Sequence, residues 1–164
     1  MTDPTTTDVP WLSIDEQADW RSVVALLATL PVALDAQLKR DAGMNSFEYH
    51  VLAHLSEAPH GGVPMSDLAI LAQGSPSRLS HAIARLERAG WVQRVACVEA
   101  GRRTSAVLTP EGLAKLREVA PAHVREVRRL VVDALEPEQL AALGEAARAI
   151  VARADPDLTC SESC

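Results

Sequence analysis

The sequence predicts a mainly α-helical chain that carries one small β-hairpin. Three observations lead there. Apolar residues recur at three- and four-residue steps through most of the length. Two β-rich runs, "WVQRVACV" and "TSAVLT", flank the short charged turn "EAGRR". Serine, threonine, proline and glycine stand between the periodic segments, where helices start and stop.

At 164 residues the chain has the size of one ordinary domain, or of a small domain with helical extensions. Apolar residues make up 48%, enough for a core. Only Trp11, Trp20, Phe47, Tyr49 and Trp91 are aromatic, so aliphatic side chains must fill it. No apolar run approaches the roughly 20 residues that span a bilayer. The start, "MTDPTTTDVP", lacks the basic and apolar blocks of a secretory signal. Together these predict a cytoplasmic protein with no membrane partner. Cys97, Cys160 and Cys164 are odd in number and form no disulfide framework; reduced thiols are the expectation.

Residues 1–10 are Thr-rich with two prolines and read as disordered. The region 11–44 holds a first helix from Asp15, with Trp20, Val23, Val24, Leu27, Leu30, Leu34 and Leu38 in step. Pro31 is expected to kink or split it, and Gly43 to stop it. Within 45–109, Ser46 is the expected cap of a second helix with apolar Phe47, Val51, Leu52 and Leu55. "APHGGVP" reads as a loop, and Ser66 as the cap of a short third helix. A tight connection through Gly74 leads to Ser75, the cap of a fourth helix with Pro76 in first place. Its buried stripe is Leu79, Ile83 and Leu86, with Ala82 beside it; Gly90 ends it, and the hairpin follows. Thr109-Pro110-Glu111 opens the region 110–153, a long helix bent at Pro121 and then a last helix from Pro137. The polar segment 154–164 reads as a flexible tail. The flanking helices are amphipathic and too large to bury their apolar faces on so small a centre, so a second copy of the chain is their expected partner.

The formal charge is −6, yet it is unevenly spread. Between Ser75 and Arg103 six arginines meet only Glu87 and Glu99, a local +4. The remainder carries ten basic and twenty acidic residues. A basic patch on an acidic body is an electrostatic footprint for a polyanion.

Short helix, tight Gly turn and basic second helix make a helix-turn-helix, and the second helix of such a pair enters a major groove. Ser77, Arg78, Ser80, His81 and Arg85 lie away from the apolar stripe and have the donors and acceptors that base edges require. Arg94 and Arg88 are left as backbone neighbours or solvated charges. Arg102 and Arg103, at the hairpin tip, suit a minor groove or phosphates. Ser66 and Ser75 stand at helix starts, where phosphates bind.

Catalysis finds no support: there is no phosphate loop, HExxH or nucleophile elbow. His50 and His54 have zinc spacing, but Glu48, His60 and His123 are only loose further ligands, so no metal and no cofactor is expected. Cys97 lies near Arg94, which favours a thiolate, yet a small strand residue is the plainer reading.

The segment "MNSFEYHVLAHLSEAPHGGVPMSDLAILAQGSPSRLSHAIARLERAGWVQRV", with "GRRTSAVLTPEG" after it, resembles the winged-helix core of MarR-family transcription regulators. The most specific pieces are "SRLSHAIARLERAGWV" and "VLTPEG". The resemblance runs from about Asp15 to Ala152, because the flanking helices match the family's dimerisation helices. It implies a winged helix-turn-helix homodimer with two recognition helices in successive major grooves of a pseudo-palindrome, about 34 Å apart. It also implies a repressor released by a small aromatic effector held between the dimer helices and the winged helix. Trp20, Phe47, Tyr49, His50 and His54 are the candidate lining residues there. Arg102 matches the family's wing arginine. The family commonly has Asp two residues before it, and this chain has Ala100, with Gly101 between. Two further readings stand beside this one: a winged-helix module that docks a protein instead of DNA, and a repressor that responds to thiol oxidation.

Overall fold

The computed structural model describes residues 9–58, 62–97 and 103–154. Six helices and a small antiparallel sheet appear there, in the order α1 (Ile14–Ala42), α2 (Ser46–Glu57), β1 (Val63–Pro64), α3 (Met65–Leu71), α4 (Pro76–Arg88), β2 (Val92–Cys97), β3 (Arg103–Leu108), α5 (Pro110–Leu130) and α6 (Pro137–Ala154). A 3-10 turn, Val132–Ala134, joins the last two. The mainly α class with a small wing is therefore the observed one. Residues 1–8, 59–61, 98–102 and 155–164 lie outside the described residues, and with them most of the two terminal segments expected to be disordered, and His60, Cys160 and Cys164.

The chain divides into two compact units at Ala33 and Leu34. In the first, α1 starts on a reciprocal cap. The Ser13 backbone amide donates to Glu16 Oε2 at 2.7 Å, and Glu16 N–H donates to Ser13 Oγ at 3.2 Å. The helix runs on through Pro31, so the expected split does not occur. Its apolar periodicity is real but unburied: Trp20, Val23, Val24, Leu27 and Val32 are all exposed.

By length and composition alone α1 is apolar enough to cross a bilayer, which corrects the expectation that no segment is. Its uncharged stretch, however, is only Ser22–Leu34, well short of the roughly 20 residues needed, and charged residues close both ends.

The second unit holds the core. Leu38 and Met44 lead into it. Phe47, Val51, Leu52 and Leu55 of α2 meet Leu68 and Ala69 of α3, and Leu79, Ala82, Ile83 and Leu86 of α4. Val63, Val92 and Ala106 from the sheet and Leu116 and Val119 from α5 complete it. All four stripe residues expected on α4 are buried. No residue of α6 is buried.

Three local details differ from the sequence reading. The cap of α2 is Asn45 rather than Ser46: Asn45 Oδ1 accepts from Glu48 N–H, and Glu48 Oε2 accepts from Asn45 N–H. Asn is as good a cap as Ser, and Glu at the third helical position completes the box. Ser46 N–H instead donates to Asp35 Oδ1 at 2.9 Å. Helix α3 begins at Met65 after Pro64, so Ser66 lies within its first turn, donating to Asp67 Oδ1. Finally, "GGVP" is not all loop. Val63 and Pro64 pair with Ala106 and Ser105, giving the strand order β1-β3-β2. Proline fits there because β1 is an edge strand.

Helix α5 starts as its sequence predicts. Thr109 Oγ1 accepts from Gly112 N–H at 3.0 Å and donates to the Gly90 carbonyl at 2.7 Å. One hydroxyl thus caps α5 and ties it to the turn after α4. Pro121 lies within the helix without ending it.

Candidate nucleic-acid interface

Helix α4 is fixed first at its start. Ser75 Oγ accepts from Arg78 N–H at 3.2 Å, and Pro76 opens the helix. The preceding turn is tight: Gln73 has φ +50°, and Gly74 N–H donates to the Ala69 carbonyl at 2.9 Å. A Cβ on Gly74 would lie 2.5 Å from Phe47 Cε2 and Cζ, so the turn closes directly on the α2 ring.

Successive residues of a helix are rotated by about 100°, which sorts α4 into four rows. Leu79, Ala82, Ile83 and Leu86 form the buried row. Ser77, His81, Ala84 and Arg88 lie opposite, and of these only Ala84 is not fully exposed. Arg78 and Arg85 occupy one shoulder between these rows, and Ser80 and Glu87 the other.

Both shoulders are held. The Arg78 guanidinium sits 4.2 Å from the Phe47 ring centroid, in cation–π range. Arg85 Nε forms an ion pair with Glu48 Oε1 at 2.9 Å; that carboxylate is almost fully buried, whereas Arg85 remains half exposed. An open cleft of about 180 Å³, lined by Met44, Glu48, Arg85 and Trp91 among others, runs beside the pair. On the other shoulder, Arg94 of β2 donates through Nη2 to the Ser80 carbonyl at 3.1 Å and pairs with Glu87 Oε2 at 3.0 Å. Its backbone amide donates to Glu87 Oε1 at 3.0 Å. Arg94 is thus a tie between wing and helix rather than a solvated charge. Arg88 Nε donates back to the Ala84 carbonyl at 3.3 Å, and its side chain stays in solvent.

The hairpin stands on β2 and β3, paired from Val92–Leu108 to Cys97–Arg103. Arg103 is the first residue of β3, so its backbone is placed. Arg102, Ala100, Gly101 and the side chains of Arg103 and Cys97 lie outside the described residues. Of the sequence-selected residues, α4 therefore brings Ser75, Ser77, Arg78, Ser80, His81 and Arg85 together on one helix, with Ser66 on α3.

The candidate lining residues fall in both units and have different surroundings. Phe47 is core and Arg78 support, and Trp20 belongs to the other unit. Tyr49, partly buried, packs against His50 at 5.9 Å and His123 at 4.5 Å between ring centroids. His54 lies one turn after His50 on α2. Burial holds the His50 and His123 imidazoles below their ordinary range and raises the Tyr49 hydroxyl. Among the described residues no cluster of three metal-ligating side chains occurs.

The buried polar link between α1 and α5 was missed by sequence reasoning. Gln37 Nε2 donates to Asp41 Oδ2 at 3.0 Å, which turns Gln37 Oε1 toward His123 Nδ1, 2.9 Å away. An amide oxygen only accepts, so the imidazole carries its proton on Nδ1. The available signal was a histidine four residues after Val119 and four before Val127, inside an apolar stripe.

A family model described as MarR family matches residues 44–104. Among solved structures, Sco3205, a MarR family transcriptional regulator from Streptomyces coelicolor in complex with DNA, is 45% identical with a TM-score of 0.86, covering 90% of this chain and 96% of its own. AbsC, a MarR family transcriptional regulator from the same organism, is 38% identical with a TM-score of 0.84, covering 91% of this chain and 100% of its own. The regulator BldR from Sulfolobus solfataricus shares the fold at 22% identity and a TM-score of 0.73, over 87% of this chain and 99% of its own. No curated protein sequence matches. With a solved regulator 45% identical along nine-tenths of its length, the chain belongs to the MarR family of transcriptional regulators.

Proposed function

We propose that the protein binds a pseudo-palindromic DNA operator as a homodimer and represses transcription from it. One observation carries this reading. Helix α4 buries one whole face, and on the rest of its surface an acidic chain exposes Ser77, Arg78, Ser80, His81, Arg85 and Arg88. Such a helix presents donors, acceptors and positive charge to a groove at once. The DNA held by the 45% identical Sco3205 supports the same assignment. Arg102 and Arg103 would extend the contact from the wing, Ser75 would meet phosphate at the start of α4, and Ser66 would do so from α3.

The second copy follows from apolar surface that one chain leaves in water. Trp20, Val24 and Leu27, in step on α1, are exposed, as are Ile150 and Val151 on α6. Two-fold pairing of these faces would place two α4 helices for successive grooves. A small aromatic effector would act by changing that spacing, with Tyr49, His50 and His54 nearest the α2 junction. The protein works in the cytoplasm, as a regulator without enzymatic activity.

Binding to the DNA upstream of its own gene, followed by gel retardation at low and high salt, tests the reading. A retarded species at low salt that disappears as salt rises is expected. Absence of any retarded species at low salt overturns it and leaves the protein-docking module.

A further inference from the structure

Two of the three arginines of α4 are engaged by consecutive residues of another helix. Arg78 lies on the Phe47 ring, and Arg85 is held by Glu48. They are seven residues apart, two helical turns, so they share a shoulder and stand roughly 10.5 Å apart along the axis. We infer that the first turn of α2 is a positioning device for this helix: Phe47 and Glu48 fix Arg78 and Arg85 as phosphate contacts, leaving the bases to Ser77, His81 and Ala84.

The inference rests on the DNA-binding reading above and deepens it. A guanidinium reads guanine with two N–H groups on one edge. The Arg85 guanidinium is paired through Nε with the buried Glu48 carboxylate, which fixes the direction in which its outer Nη groups project from the flank of the helix. Glu48 cannot swing away to release it, because its other oxygen holds the Asn45 amide that starts α2. Arg78 is constrained by its stack on a core ring that also abuts Gly74. Both side chains thus begin with their conformations restricted, on the flank of the helix rather than at its crest. Contacts fixed on the flank set the register on the backbone of DNA, while sequence is read from the row that faces the groove floor. Its first three members, Ser77, His81 and Ala84, hold a hydroxyl, an imidazole and a methyl, which suit base edges and the thymine methyl, and Arg88 closes the row in the last turn.

The test compares the intact protein with Glu48→Gln and Arg78→Lys. Glu48→Gln keeps an oxygen for the Asn45 amide and removes the charge that holds Arg85. Arg78→Lys keeps the charge and removes the flat stack. Each is measured by fluorescence anisotropy on a duplex selected in vitro against the intact protein and on a scrambled duplex of equal composition, with melting curves alongside. The expected result is a fall of roughly three- to tenfold in the ratio of selected to scrambled affinity, with scrambled affinity held or raised and the fold retained. In a selection profile, base preference should flatten across the whole half-site. An unchanged ratio in both variants overturns the inference. So does preference lost at a single base pair in Arg78→Lys, which makes that arginine a base reader. Failure of the intact protein to bind either duplex overturns the DNA-binding reading itself, a result visible before any variant is compared.

Discussion

At the scale of single residues, His123 is the group whose surroundings most constrain its chemistry. It is buried against Gln37 from α1, which passes the contact to Asp41; Tyr49 and His50 face it from α2, and Glu126 lies one turn along α5. Burial, then the nearby His50, hold its pKa below the ordinary histidine value, against a smaller opposing pull from Glu126. The unfolded chain therefore takes up the proton first as pH falls, and the folded state loses stability below the ordinary value until its own pKa is passed. The melting temperature is expected to drop from about pH 7.5 to about pH 5.5, and His123→Asn, which keeps a donor for Gln37, should flatten that slope. Arg102 makes a different prediction. The DNA contact proposed for it is one of charge with phosphate, so Arg102→Ala is expected to weaken binding and lower the salt slope by about one, measured by titration at several salt concentrations.

At the scale of elements, close approach decides the outcome. A Cβ at Gly112 would run into the Trp91 carbonyl, a backbone atom that cannot turn aside. Gly112→Ala must shift α5 against the end of α4 and is expected to cost about 1–3 kcal/mol or more in urea unfolding. Thr109→Val keeps the shape but removes the cap and leaves the Gly90 carbonyl without its partner, a loss of about 1–3 kcal/mol. These contacts explain which parts of the fold the sequence disclosed. The buried row of α4, the Ser75 and Thr109 caps and the hairpin are local patterns, and each appears where its residues place it. The two-residue strand β1 was hidden because nothing in "VP" marks it; its pairing with Ala106 and Ser105 is made across more than forty residues. Pro31 misled because a proline need not split a long helix: the chain stays helical on both sides of it. Among candidate site residues, the exposure of Ser77 and His81 opposite the buried row was legible from periodicity alone. The grip on Arg78, Arg85 and Arg94 was not, because their partners Phe47, Glu48 and Ser80 lie 31, 37 and 14 residues away in sequence.

At the scale of the whole molecule, the apolar surface of the outer helices is the largest unpaired term. Burying one leucine side chain contributes roughly 1.5–3 kcal/mol, and Leu27 is 64% exposed in a single chain. Leu27→Glu is therefore expected to weaken self-association by at least about tenfold in sedimentation equilibrium and to weaken operator binding in parallel. The capping box of α2 carries a last implication, for inheritance rather than energetics. Glu48 serves Asn45 with one oxygen and Arg85 with the other, so no single substitution there is neutral to both. In lineages descended from a common ancestor, positions 45, 48 and 85 should drift as a trio, while the exposed positions 77 and 81, which serve no such internal partner, should diverge freely.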